Sequence, residues 1–156
     1  MSVILKKYTT EMAHIVRNAY SQRCANSIHG HSVNWEVYVE GPILESTGMV
    51  IDFKQLQSIK NFIDRFDHST ILWNDEKPEI ISFFQNNFER VVTTIKNPTA
   101  ENMARLVLRA ANVIIASEFG DEYLVKEVRV WETVTGCGIA TEYDDDDIIA
   151  TEQLSD

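Results

Sequence analysis

The chain has 156 residues, a formal charge of −10 and 44% hydrophobic residues, which predicts one globular domain with its own core and excludes wholesale disorder. It shows no run of about 18 apolar residues, no secretory layout in its opening MSVILKKYTT, and too few cysteines, Cys24 and Cys137, for a disulfide scaffold. A cytoplasmic protein without a membrane partner is expected, and the acidic balance argues against bulk binding of nucleic acid.

β-branched and aromatic residues over 3–14 predict a first strand running up to His14. Residues 15–28 are polar and read as a loop. Val33, Trp35, Val37 and Val39 then alternate with Asn34, Glu36, Tyr38 and Glu40, the period-2 signal of a half-buried strand that Gly41-Pro42 ends. The apolar run Met49-Val50-Ile51 reads as the end of a returning strand. Asp52 is placed to N-cap a helix whose Phe53, Leu56, Ile59, Phe62, Ile63 and Phe66 share a face. Between 69 and 97 the pattern is less regular, with a short helix over 79–88 and a strand over 90–95. Pro98-Thr99 opens a second long helix, Thr99 as N-cap, with Leu106, Val107, Ala110, Val113 and Ile114 as its buried stripe. Strands are predicted over 125–134 and 138–143, turning at Gly136-Cys137-Gly138. The order indicates an α+β fold with helices on an antiparallel sheet.

Charge is concentrated at the end. From Glu142 onward there are seven acids and no Lys or Arg, leaving 17 acids against 14 bases before it. The run Asp144–Asp147 reads as a solvated, self-repelling tail over 144–156, following one domain over 1–143. Four consecutive Asp lack the spaced ligands of a calcium loop.

Histidine is scarce, so its placement is informative. In an extended segment His29 and His31 point the same way, and Gly30 between them leaves the opposite face uncrowded. Two converging imidazoles and a third, for which His14 is the natural candidate, make a zinc set with a fourth position open; surface histidines are the bland alternative. The fourth histidine follows an acid, Asp67-His68. A carboxylate held against an imidazole fixes its tautomer and makes it a better base, whereas a histidine at a helix C-terminus also suits the dipole. Cys24, five positions before His29, is either a thiolate-forming base near a cation or an ordinary free cysteine. Glu132 shares a strand face with Val128 and Val130, where a carboxylate is costly unless paired. A ligand with two parallel N–H donors, or a basic side chain such as Arg129, meets that need. Glu101, in a first helical turn, suits the dipole.

In order along the chain, Ala13-His14, Cys24 with His29-Gly30-His31, Thr47-Gly48-Met49-Val50-Ile51-Asp52-Phe53, Asp67-His68, Asn97-Pro98-Thr99-Ala100-Glu101-Asn102 and Trp131-Glu132-Thr133 resemble the 6-pyruvoyl-tetrahydropterin synthase / 6-carboxy-tetrahydropterin synthase family. The likeness runs from residue 13 to about 143. It implies the tunnelling fold (T-fold), with a four-stranded antiparallel sheet, two long helices on one face, and hexamers with active sites between subunits. It makes His14, His29 and His31 the zinc ligands, Cys24 the proton-abstracting base, and Asp67 and His68 the assisting pair. Glu132 would anchor the pterin ring, with Thr133, Thr99 and Glu101 nearby. The substrate implied is 7,8-dihydroneopterin triphosphate, and Arg17, Arg23, Lys54 and Lys126 are candidates to meet its phosphates. Thr135-Gly136-Cys137-Gly138 and the Asn97–Asn102 turn resemble the carboxy-forming branch. That branch is a zinc-dependent lyase giving 6-carboxytetrahydropterin, acetaldehyde and triphosphate for 7-deazaguanine (queuosine-type) synthesis. Four residues between Cys24 and His29 lie between the spacings of the two branches, which keeps the pyruvoyl-forming activity as an alternative. A non-catalytic pterin- or purine-binding oligomer is a third. The acidic extension past Tyr143 departs from the family's pattern.

Overall fold

The computed structural model describes residues 1–142; the tail expected over 144–156 lies outside them. Strands β1 (Ser2–His14) and β2 (His29–Gly41) form an unbroken antiparallel ladder, from Ser2 opposite Gly41 to His14 opposite His29. Tyr8, Thr10, Met12 and His14 of β1 and Val33, Trp35, Val37 and Val39 of β2 turn to the buried face. The period of two read from the sequence therefore continues to the three histidines, which share the core face at one end of the sheet. The chain then runs through α1 (Gln22–Asn26), α2 (Gln57–Ile63), β3 (Ser69–Trp73), α3 (Pro78–Asn87), β4 (Val91–Thr94), α4 (Ala100–Phe119), β5 (Leu124–Trp131) and β6 (Cys137–Thr141).

The architecture is α+β, but the sheet has six strands in the order β4-β3-β1-β2-β5-β6, correcting the expected four-stranded antiparallel sheet. β3 runs parallel to β1, and β4 parallel to β3. These strands are short, and the core of β3, Ile71 and Leu72, is buried on both faces, so no alternation marks it in the sequence. The returning strand at 49–51 is absent: Val50 and Ile51 bury themselves in the core as irregular chain ahead of Asp52. Nor are there two long helices among the described residues. The first is the seven-residue α2 between 3-10 turns at Phe53–Leu56 and Asp64–Phe66, entered through a capping box of Asp52 and Gln55. Tightening of a terminal turn is common where a chain must leave a helix sharply.

α4 is the one long helix among the described residues, with Thr99 as N-cap. Its buried stripe is Met103, Ala104, Leu106, Val107, Leu108, Ala111 and Ile115, while Val113, expected inside, is 71% exposed. Helix α4 covers β5 and β6, and α2 packs between α4 and β1. Under them Phe66 stacks on Trp35 with ring centroids 5.5 Å apart, and Trp35 Nε1 donates to Thr10 Oγ1. Among the described residues no helix is long and apolar enough to cross a membrane.

Candidate metal and pterin site

Register assembles the histidines. His14 lies directly opposite His29 and Met12 opposite His31, so all three rings meet on one face, with centroids 4.6 to 5.2 Å apart. One nitrogen from each lies within 4.8 Å of the others, within a small side-chain rotation of a shared ion. The rings are oriented from behind. The buried His14 Nδ1 donates to Pro98 O at 2.8 Å, His29 Nδ1 donates to Ser27 O at 3.1 Å, and the Glu132 carbonyl accepts from the His31 ring. A carbonyl only accepts, so Nδ1 of His14 carries the proton and Nε2 the lone pair. Burial, with the two neighbouring imidazoles, pulls His14 down to about 4 against the Pro98 bond, so it is neutral at pH 7. Its Nε2 is buried without a hydrogen-bond partner. An orphaned lone pair among two further imidazoles is the donor set zinc takes, and the residues fit that ion.

Glu132 follows the end of β5 on the same inner face. Its Oε1, also buried and unpartnered, lies 3.7 Å from His14 Nε2. Burial, then the nearby Glu101, push its carboxyl up, with His29 opposing. Arg129 is not its partner, because that guanidinium is engaged by Glu127 and Glu36. Glu101 and Thr99 come to this corner because β6 passes close under the start of α4 at Gly138, where a Cβ would lie 2.4 Å from Ala100 C. Thr99 Oγ1 caps the helix by accepting from Asn102 N, and Thr133 Oγ1 accepts from Gly136 N, so both hydroxyls shape their turns. A groove of about 690 Å³ is lined by His31, Glu36, Trp131, Glu132, Thr133 and Lys7, among others.

Asp67 and His68 are placed by β3. Because β3 runs parallel to β1 with Ser69 beside Met12, the two residues before it lie beside Glu11. His68 N donates to Glu11 O, and Glu11 N donates to Asp67 Oδ1. Asp67 Oδ2 is 2.8 Å from His68 Nδ1, which fixes the proton there and leaves Nε2 as the basic nitrogen. The Glu11 amide first, then His68, hold the Asp67 carboxyl below the ordinary range. His68 sits at φ +53°, a left-handed conformation unusual outside glycine. His68 and His31 line one groove of about 450 Å³ with Glu11, Ser32 and Thr70. His31 thus borders both grooves, with the acid–imidazole pair on one side and Glu132 on the other.

Cys24 is half-buried in α1, inside the stretch expected to be loop, and is not among the three clustered ligands. Two candidate phosphate contacts are committed elsewhere. Arg17 pairs with Glu76, and Lys126 pairs with Glu142 and lies six residues up β5 from Glu132, about 20 Å along a strand. Arg23 and Lys54 are exposed. Sequence reasoning missed Glu76 and Arg90. Arg90 Nε donates to Asp67 O and its Nη2 to Asp64 O, clamping the turn that carries His68. Nothing in the local pattern of either residue marks it, since each acts across the fold.

The family description of 6-pyruvoyl tetrahydropterin synthase matches residues 3–142. A Helicobacter pylori (strain J99) protein named 6-carboxy-5,6,7,8-tetrahydropterin synthase is 37% identical over 139 residues, covering 86% of this chain and 70% of its own. A Rickettsia felis protein of the same name is 32% identical over 109 residues, covering 68% and 77%. Among solved structures, an uncharacterized protein from Wolinella succinogenes superposes with a TM-score of 0.73 at 20% identity, over 90% of this chain and 98% of that one. The 6-pyruvoyl tetrahydropterin synthase of Caenorhabditis elegans gives 0.65 at 21%, over 90% and 94%. These likenesses carry the T-fold, and with the matched sequence they show that the chain belongs to the 6-pyruvoyl tetrahydropterin synthase family.

Proposed function

We propose that the protein is a zinc-dependent 6-carboxy-5,6,7,8-tetrahydropterin synthase. It converts 7,8-dihydroneopterin triphosphate and water to 6-carboxytetrahydropterin, acetaldehyde and triphosphate, in the cytosol, on the route to 7-deazaguanines. The observation that carries this reading is the buried, unpartnered Nε2 of His14 among the three imidazoles, with Glu132 beside it. The two relatives named above point to the same product.

His14, His29 and His31 would hold the zinc, which when bound polarises the side-chain hydroxyls of the substrate. Glu132 accepts from the two parallel N–H donors of the 2-amino-pyrimidinone edge, a bidentate match that orients the ring. Thr133, Thr99 and Glu101 shape that end of the site. Cys24 removes a proton from a side-chain carbon. His68, its Nδ1–H held by Asp67, returns and removes protons through Nε2. Residues 1–143 form the catalytic domain, 144–156 a solvated acidic tail, and the working assembly is a hexamer with sites between subunits.

Incubation of the zinc-loaded protein with 7,8-dihydroneopterin triphosphate, followed by mass analysis, tests this. A carboxy-pterin with acetaldehyde is expected. The four-residue spacing between Cys24 and His29, intermediate between the two branches, keeps one second reading, a pyruvoyl-pterin product. Unchanged substrate would leave only a pterin-binding oligomer.

A further inference from the structure

We propose that Glu76 is a positioning residue that acts through Arg17 to hold the turn carrying Cys24. This rests on the reading of Cys24 as the group that moves a proton. The Glu76 side chain is 5% exposed, and a carboxylate so buried is costly unless both oxygens are engaged. They are. Oε2 accepts from Arg17 Nε at 2.6 Å and Oε1 from Lys77 N at 2.9 Å. The same guanidinium donates from Nη1 to Ala25 O at 2.8 Å, and the preceding amide, Val16 N, donates to Cys24 O at 3.1 Å.

Two consecutive residues leaving β1 just past His14 therefore grip two consecutive carbonyls of α1. Helix α1 needs that grip. It has five residues and no side-chain N-cap bond, far below the length at which a helix holds itself. The strut continues on its other side, where Asn97 Nδ2 donates to Arg17 O and the carbonyl of the next residue, Pro98, accepts from His14 Nδ1. Glu76 thus ties the connection into α3 to the cysteine turn and to the loop that orients a proposed zinc ligand. An arginine locked by a buried acid is a poor choice for a mobile phosphate clamp, so the strut replaces the phosphate role expected of Arg17.

The test uses the zinc-loaded full chain with Glu76→Gln, which keeps an acceptor and removes the charge, and Arg17→Lys, which keeps the charge and removes the fork. Zinc content, steady-state turnover of 7,8-dihydroneopterin triphosphate and alkylation of Cys24 by iodoacetamide, separated from Cys137 by peptide mass, are measured together. Expected are unchanged zinc, kcat lower by on the order of ten- to a hundredfold with KM near wild type, and a several-fold change in the Cys24 alkylation rate. The exposed Glu79→Gln, at the start of α3, should match wild type throughout. Wild-type alkylation in Glu76→Gln overturns the proposal, whatever happens to kcat. Loss of zinc overturns it by moving the effect to His14. A raised KM with unchanged kcat in Arg17→Lys overturns it by returning Arg17 to the phosphates. Should Cys24→Ala itself turn over normally, the proton role fails, and the alkylation rates alone still decide whether the strut exists.

Discussion

Each imidazole of the cluster has its ring tied to a backbone carbonyl, and in the neutral ring that tie holds the proton at the tied nitrogen and leaves the lone pair on the other. Loss of a ligand should therefore be felt far more than loss of an outer partner, which typically costs ten- to a hundredfold in affinity. His29→Ala is expected to lower zinc affinity by more than about a hundredfold, so that metal analysis after dialysis finds clearly less than one zinc per chain. Full occupancy would remove His29 from the ligand set. Cys24 and Glu132 divide differently. Cys24→Ala should retain pterin, since no ring contact is assigned to it, while kcat drops by about a hundred- to ten-thousandfold, the range of general acid–base catalysis. Equilibrium binding and turnover measured on the same preparation separate these two effects, and near-normal turnover would take Cys24 out of the mechanism.

Among the elements, the close passage of β6 under α4 is the most sensitive point. A Cβ at Gly138 would meet Ala100 C at 2.4 Å, Glu101 N at 2.5 Å and Ala100 O at 2.7 Å, all backbone that no side-chain rotation can clear. Gly138→Ala should destabilise the fold by about 1–3 kcal/mol, the usual cost of overpacking, whereas Thr99→Ala, losing only the cap, should cost about 1 kcal/mol. Urea denaturation ranks the two, and a neutral Gly138→Ala would mean that the helix start yields freely. This joint also shows what could be read in advance. The face shared by His29 and His31 followed from strand period, and the inward Glu132 from its row of valines, because each signal is local to one strand. That His14 faces His29 is a matter of register, and the antiparallel ladder supplied it. Asp67 and His68 reach Glu11 only because β3 runs parallel to β1, and a five-residue strand whose centre, Ile71 and Leu72, is buried on both faces leaves no periodic trace. Glu76 and Arg17 are 59 positions apart, and no local pattern links an acid at one loop to an arginine at another.

For the whole molecule, the charge of −10 has to be divided before it predicts anything. Within the fold, the carboxyls of Glu36, Asp67 and Glu76 are all held below their ordinary range, chiefly by Lys7, the Glu11 amide and Arg17 respectively. The unfolded chain takes up protons at these positions first as pH falls, so the stability they confer is complete above about pH 5 and drains away below the ordinary carboxylate values near 4. Urea midpoints from pH 7 to pH 3.5 should decline in that lower window, and Glu36→Gln should flatten the decline. Outside the described residues, segment 144–156 holds six of the acids and no base, so its removal leaves a body of 18 acids and 14 bases. If that segment is the solvated tail proposed above, it repels a triphosphate only through solvent, over a screening length of about 8 Å at physiological salt. Truncation after Tyr143 should thus leave kcat within about twofold and zinc content unchanged, and any fall in KM should appear at low ionic strength and vanish as salt is added. A loss of kcat that persists at physiological salt, accompanied by a smaller particle on sizing, would instead mean that the segment packs against a neighbouring subunit.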